Sequence, residues 1–400
     1  MHQKLYIFLT FAICGIGGTQ IYVRNKVKYL QKKGWDTCVI STEPPSEIII
    51  NELEQYREGI FCELVHNPYL YSTKQRNRII NRIIQYIETT NANASDIIIE
   101  SNYIAVTPWA EILAEILKAK HFIFFIQEDY HFKIDSYRKF FEFKLDRGEL
   151  AANTHNAVKT LFDNFRTITN STIYQLPAHC SNSIEDCNPK ISNNLPPADF
   201  YIGSFGRINK PFVLPMIDRL SSYVAEHPDK KFHLVLFGWS DNPDHYEYIT
   251  KKIKAIPNLS FQITGPIYPV SRSDLKKMNV FISTAGAAWA TYMEKILTIS
   301  VDDNDLFPIG VLGHTTTNTI HRADEPKLDL GLLLDGIFFD HKYENYQVEP
   351  PHFPKDEDHL FDSHFEFISQ GESTLKYYPI SVLNPKFKSR LYFRLKNLFR

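Results

Sequence analysis

Two short stretches of this 400-residue chain combine glycines with groups able to hold an anion. The first, Gly15-Ile16-Gly17-Gly18, lies between an apolar run with the character of a strand and a stretch with the character of a helix. Glycines there let backbone N–H groups approach an oxyanion, and a helix beginning at the turn adds the positive end of its dipole. A plain tight connection would use the same residues. A nicotinamide-binding turn wants a third glycine where Gln20 stands, which argues against a dehydrogenase. The second stretch, Gly203-Ser204-Phe205-Gly206-Arg207-Ile208-Asn209-Lys210-Pro211, follows another apolar run. Two cations three residues apart on such a loop can clamp a diphosphate, Arg207 by paired hydrogen bonds and Lys210 as a point charge. Two solvated loop charges are the plainer alternative.

A third group is suited to moving protons. Glu128-Asp129-Tyr130-His131 ends the apolar run Phe122 to Gln127, and Glu100-Ser101-Asn102 ends the run before it. Carboxylates and an imidazole at strand ends can take a proton from a hydroxyl or hold hydroxyl groups, so Glu128 and His131 are the candidate catalytic pair. A helix cap or an ion pair would also account for Glu128. Asp302-Asp303-Asn304-Asp305 could ligate Mg²⁺, but a loop that caps the following helix is the preferred reading.

The elements around these residues follow one grammar. From Leu5 to Thr42 come an apolar strand, the glycine turn, a helix Thr19 to Lys33 stopped by Gly34, and a strand Thr37 to Ser41, which is a β-α-β unit. Strands are expected at Ile60 to Val65, Asp96 to Glu100 and Phe122 to Gln127, alternating with helices Thr73 to Thr89 and Pro108 to Ala119. Near-continuous apolar runs such as Ile97-Ile98-Ile99 predict a parallel sheet covered on both faces. Between Pro177 and Pro197 the composition turns to Ser, Asn, Pro and Cys, as in an interdomain linker. The alternation then restarts, with strands Phe200 to Ser204, Phe232 to Phe237, Leu259 to Ile263, Val280 to Ser283 and Leu297 to Val301. The expected architecture is α/β, with two Rossmann-like domains at 1–185 and 198–375 and a basic tail at 376–400.

Bulk properties bound the partners. With 44% hydrophobic and 22% charged residues the chain can fill two cores. A net charge of −2 gives no overall pull on nucleic acid, so a small anion met by a local cluster is the better fit. Cys14, Cys38, Cys62, Cys180 and Cys187 form no C-x-x-C pair and read as ordinary thiols of a reducing compartment. The run Leu5 to Ile13 falls short of the ~20 residues that span a bilayer. Lys4 before it and small residues after it also suit a signal peptide, but the β-α-β unit gives the run a structural role, and a cytoplasmic location is expected. From Pro385 onward, Lys386, Lys388, Arg390, Arg394, Lys396 and Arg400 alternate with apolar residues and no acid. Such a segment can lie on an anionic membrane surface, which would place the protein on the inner face of the membrane.

The turn Gly-Ile-Gly-Gly-Thr-Gln with "KKGWDTCVIST", followed in order by "YIGSFGRINKPF", "HLVLFGWS" and "DLKKMNVFIST", resembles the large retaining glycosyltransferase family four. The likeness runs over about residues 5 to 320. It implies the GT-B fold, two Rossmann-like domains facing across a cleft. It also implies metal-independent transfer of a hexose, as in surface polysaccharide synthesis. The donor is a nucleotide-diphosphate sugar bound mainly by the second domain, and the acceptor a glycan or lipid-linked sugar bound mainly by the first. No cofactor is implied, since the nucleotide-sugar is a substrate. Position by position, the resemblance puts Gly17 and Gly18 near the donor phosphates and Arg207 and Lys210 on the diphosphate. Gly238, Trp239 and Gly265 would frame the base. The family's paired glutamates are incomplete, because the position eight before Glu294 is Gly286. Glu294 is then either the ribose ligand or a helix-end residue. The missing glutamate leaves open a catalytically lapsed nucleotide-sugar-binding scaffold. A sugar-nucleotide epimerase of the same fold would carry more acids and histidines at the site. The family also offers a second role for the tail, as a helix that crosses back to pack on the first domain.

Overall fold

The computed structural model describes residues 3–44, 46–91, 93–127, 135–162, 167–168, 170–178, 180, 183–240, 242–343, 358–385, 389 and 392–393. The chain divides into two compact units, residues 1–180 with 354–400, and residues 181–353.

The first unit is built on a five-stranded parallel sheet. Its strands are β1 (Lys4–Thr10), β2 (Asp36–Ser41), β3 (Asp96–Ser101), β4 (Lys120–Phe125) and β5 (Leu150–Ala152), in the order β2-β1-β3-β4-β5. Its helices are α1 (Gly18–Lys32), α2 (Thr73–Asn91), α3 (Thr107–Leu117), α4 (Asp135–Asp146) and α5 (His155–Phe162). Both faces of the sheet are covered, so β1 is apolar throughout rather than alternating. Leu5, Ile7 and Leu9 meet Ile80 and Ile83 of α2 and Trp109 of α3, while Tyr6 and Phe8 lie on the opposite face. Helix α1 ends at Gly34, whose φ of +77° no side-chain-bearing residue adopts readily.

A helix at Asp358–Gln370 also belongs to this unit, although the sequence boundary at 375 assigned it to the second domain. Its aromatic side chains explain the difference. Phe361 and Phe365 lie 5.4 and 6.0 Å from Tyr29 of α1, and His364 Nδ1 lies 3.1 Å from the buried Lys26 Nζ. Lys26 in turn pairs with Glu100 at 2.5 Å, and Tyr6 and Tyr22 donate to the same carboxylate at 2.6 and 2.9 Å. Burial is the larger influence on Lys26 and lowers its pKa against the opposing pull of Glu100.

The expected strand Ile60 to Val65 is instead a 3₁₀ turn at Cys62–Val65. Phe61 and Leu64, three residues apart, are the buried pair, which is helical spacing and not the period of two a strand requires.

The second unit holds β6 (Ile184–Glu185), β7 (Phe200–Phe205), β8 (Phe232–Phe237), β9 (Leu259–Ile263), β10 (Val270–Ser271), β11 (Val280–Ser283), β12 (Thr298–Val301) and β13 (Pro308–Val311). Six of these form a sheet of order β13-β12-β11-β7-β8-β9, parallel except for its edge strand β13. Helices α6 (Val213–Glu226), α7 (Pro243–Lys254), α8 (Arg272–Lys276), α9 (Ala285–Met293) and α10 (Leu330–Phe338) complete it, and the helix at Asp358–Gln370 is α11. Asn242 caps α7 by accepting from the N–H groups of Asp244 and His245, with Pro243 in the first turn. Much of the expected linker folds onto this unit, because the buried Asp274 carboxylate accepts N–H bonds from Lys190, Ile191 and Ser192.

Candidate functional site

In each sheet the chain reverses its direction of progress once. In the second unit β7 leads to β8 and β9 on one side and lies beside β11 on the other, so the switch falls between β7 and β11. Open α/β sheets bind ligands at the carboxyl ends of the strands flanking such a switch. In the first unit the equivalent place lies between β1 and β3.

Five of the residues singled out in the sequence come together at the carboxyl ends of β7 and β8, and Gly265 joins them past β9. Gly206 N donates to Phe237 O at 3.0 Å, and Ile208 N to Trp239 O at 3.0 Å, so the loops after β7 and β8 are laced to each other. Gly238 is required there, since a Cβ would run into the carbonyl oxygen of Gly206. Its N–H donates to Thr264 Oγ1 at 3.1 Å, which ties in the turn that holds Gly265, and Thr264 Oγ1 donates to Gly265 O at 2.8 Å. Gly206 has φ +123°, and the Lys210 ammonium curls back to within 3.6 Å of its Cβ position. Arg207 is exposed on the same loop, and Trp239 is half-buried.

Across the switch, β11 ends in Ser283, whose hydroxyl donates to Phe205 O at 3.0 Å. Helix α9 begins two residues later. Its N-cap Thr284 makes no capping bond, its hydroxyl donating to Thr319 O instead, and Ala285 is held at φ +54° with its N–H on the same carbonyl. A side-chain-bearing residue in the left-handed region is strained, and such strain is tolerated where the surroundings fix it. Helix geometry leaves the N–H groups of Gly286 and Ala287 without partners inside the helix. The switch is therefore flanked by two loop cations on one side and a helix N-terminus on the other, an arrangement suited to a diphosphate.

Glu294 is not part of this assembly. It caps the other end of α9, four residues before β12 starts, at the edge where the strands begin. Arg272 grips its carboxylate at 2.6 and 3.3 Å. The acidic loop is likewise committed, since Asp302 accepts from the N–H groups of Asn304, Asp305 and Arg322 at 2.8, 3.1 and 2.7 Å. Among the described residues, no three His, Cys, Asp or Glu side chains are grouped to hold a metal.

In the first unit Gly17 is the extended N-cap of α1 and Gly18 its first residue, at the β1/β3 switch. Gly18 lies against Cys180, at 3.3 Å from its Cβ position. Glu128 and His131 lie outside the described residues, as do the six tail cations. Phe393 of the tail meets the rings of His66 and Tyr71 at 4.8 and 5.2 Å. No helix among the described residues is long and apolar enough to cross a membrane. Gly286, noted in the sequence as the place of a missing glutamate, lies in the first turn of α9. Thr284 and Thr319, which shape it, carried no signal.

No protein-family model matches the chain, and a comparison with curated proteins finds no match. Solved structures do match it over nearly their whole length. A glycosyltransferase from Rickettsia africae aligns with TM-score 0.53 at 15% identity, covering 99% of this chain and 100% of that one. The Anabaena protein HepE, solved in complex with UDP and glucose, aligns with TM-score 0.52 at 12% identity, covering 98% and 100%. Sucrose-phosphate synthase from Thermosynechococcus elongatus aligns with TM-score 0.50 at 12% identity, covering 99% and 100%. The chain has the GT-B fold.

Proposed function

We propose that this protein is a glycosyltransferase that moves a hexose from a nucleoside-diphosphate sugar to a glycan or lipid-linked acceptor. The observation that carries the reading is the pairing at the β7/β11 switch of the Arg207–Lys210 loop with the N-terminus of α9. When the sugar leaves, negative charge grows on the diphosphate. Arg207, Lys210 and the N–H groups of Gly286 and Ala287 would hold that charge in a preorganised setting. These groups make a metal unnecessary, so a chelator is expected to leave turnover unchanged. Gly238, Trp239 and Gly265 would border the base, and Gly17 and Gly18 remain candidate anion-binding glycines of the first unit. Glu128 and His131 remain the proposed acid–base groups on the acceptor side. Glu294 is assigned a structural role, in keeping with its ion pair.

The solved relative HepE, bound to UDP and glucose, lends support from the same fold. The proposed setting is surface polysaccharide synthesis at the cytoplasmic face of a membrane, reached through the basic tail. A thermal-shift panel of nucleoside diphosphates and their sugars tests the donor half. A ligand at a hundred times its dissociation constant adds about 2.7 kcal/mol, and the absence of any such shift would overturn the proposal. Product analysis of the stabilising nucleotide-sugar then separates the fates. Transfer to an added saccharide supports this reading, an epimerised nucleotide-sugar replaces it with an epimerase, and binding without turnover identifies a scaffold.

A further inference from the structure

Ser41, Thr10 and Asn102 form a row across the carboxyl ends of β2, β1 and β3. Thr10 pairs in register with Ser41, and the register that sets Leu9 beside Ser101 brings Asn102 next to Thr10. Matched positions of neighbouring strands share a face, here the face of Tyr6 and Glu100 that α1 covers. The three residues are 1%, 0% and 5% exposed. Yet Ser41 Oγ, Thr10 Oγ1 and both polar atoms of the Asn102 amide make no hydrogen bond within the protein. Glu43 Oε2, two residues beyond Ser41, is in the same condition, and burial pushes that carboxyl's pKa up.

Buried polar atoms without partners are destabilising and rare, and a cluster of them calls for an arrangement in which they are satisfied. The chain that can provide one runs past the same strand ends. It connects β1 to α1, is tied by Phe11 O to the N–H groups of Thr42 and Glu43 and by Gly15 N to Glu47 O, and contains Gly15 at φ +69° with open space around its Cβ position. Helix α1 starts there with an N-cap, Gly17, that offers no side-chain bond.

We propose that Ser41, Thr10 and Asn102 are a covered subsite for a neutral polyhydroxylated ring, uncovered when the turn between β1 and α1 lifts. Hydroxyl and carboxamide groups both donate and accept, as sugar hydroxyls do. The row has no cation to favour an anionic ligand. At the same strand ends Phe11, 38% exposed, lies 4.7 Å ring to ring from Tyr103, an apolar surface for the C–H face of a sugar. Assigning that ring to the acceptor rests on the transferase reading, whereas binding itself does not.

The test uses D-glucose, D-galactose, D-mannose and N-acetyl-D-glucosamine at about 100 mM with thermal unfolding as the readout, because general sugar exclusion stabilises every variant alike. Thr10→Val removes one hydroxyl at constant shape, and Ser41→Ala removes another independently. Relief of an orphaned hydroxyl is expected to raise the midpoint of each free variant by about 1–3 °C. At least one sugar is expected to shift the wild type more than either variant, while the shift produced by UDP stays the same. A lower midpoint for both free variants, or sugar shifts that are equal in variants and wild type, overturns the subsite. A UDP shift without a sugar-specific one sinks this inference alone, and the reverse sinks the donor proposal alone.

Discussion

Arg272 and Glu294 are joined through two hydrogen bonds, 2.6 and 3.3 Å long, at the edge of the second sheet where β11 and β12 begin. Arg272 also reaches Asp186 at 2.5 Å, and these carboxylate bonds, Glu294 first, raise the guanidinium pKa above its ordinary value. The pair fastens α8 to the end of α9, at the opposite end of the strands from the Arg207–Lys210 loop. Glu294→Gln is therefore expected to lower stability by about 1 kcal/mol, the scale of a partly exposed pair, with UDP affinity changed less than twofold. A donor KM that rises severalfold at unchanged stability would return Glu294 to the ribose.

Arg207 is exposed on the loop that follows β7. Arg207→Ala is expected to weaken UDP binding by roughly 1.5–3 kcal/mol, the range for one charge-assisted hydrogen bond, with the unfolding midpoint unchanged. Calorimetric titration of wild type and variant with UDP reads this directly. Equal affinities would remove Arg207 from the clamp, and Lys210→Ala, measured in the same way, shows whether the ammonium alone suffices.

The sequence yielded the parallel sheets and the glycine loops because those signals are local. The runs at Phe232 to Phe237 and Val280 to Ser283 became β8 and β11 with unchanged bounds. Gly206 and Gly238 sat at strand ends, where only the approach of two backbones remained to be seen. What stayed hidden depends on distant partners. Lys26, Glu100 and His364 are separated by 74 and 338 positions from Lys26 to each partner, so nothing in their neighbourhoods announced a buried network that draws α11 onto the first unit. Glu294 was left open between a ribose ligand and a helix-end residue, and the structure shows it at the C-cap of α9. Its spacing after β11 matched a motif, while its side chain answered to Arg272.

A second buried network makes the first unit sensitive to acid. Glu111 accepts from His121 Nδ1 at 2.6 Å and pairs with Lys144 at 2.6 Å, and all three are buried. Burial pushes the Glu111 carboxyl up, but His121 and Lys144 outweigh it and hold the pKa at about 2. A folded value below the ordinary 4.5 means that the stabilisation is complete above pH 4.5 and is lost as pH falls towards 2. Burial and then Lys144 lower the His121 pKa, so refusing a proton in the folded state adds to the loss as pH falls below 6.5. The Glu111 contribution is on the order of 2–3 kcal/mol. Denaturant unfolding of wild type and Glu111→Gln is expected to show that gap at pH 7 and its progressive narrowing as pH falls from 4.5 towards 2. Parallel stability curves over that range would mean that the carboxylate is not the group responsible.

The two roles proposed for the tail, membrane binding and packing, can be separated by substitution. Phe393 docks on His66 and Tyr71, so truncation would remove an anchor together with the cations. Replacing Lys386, Lys388, Arg390, Arg394, Lys396 and Arg400 by Gln removes charge and keeps the aromatic residues. Each cation near an anionic leaflet is worth about 1 kcal/mol, and salt screens that attraction within a few ångströms. The wild type is expected to co-sediment with phosphatidylglycerol vesicles at low salt and to be released as salt is added. The six-glutamine variant should stay in the supernatant with an unchanged unfolding midpoint, whereas Phe393→Ala should lower the midpoint. If the wild type ignores the vesicles while Phe393→Ala unfolds early, the tail serves the fold alone, and the acceptor need not be found at a membrane.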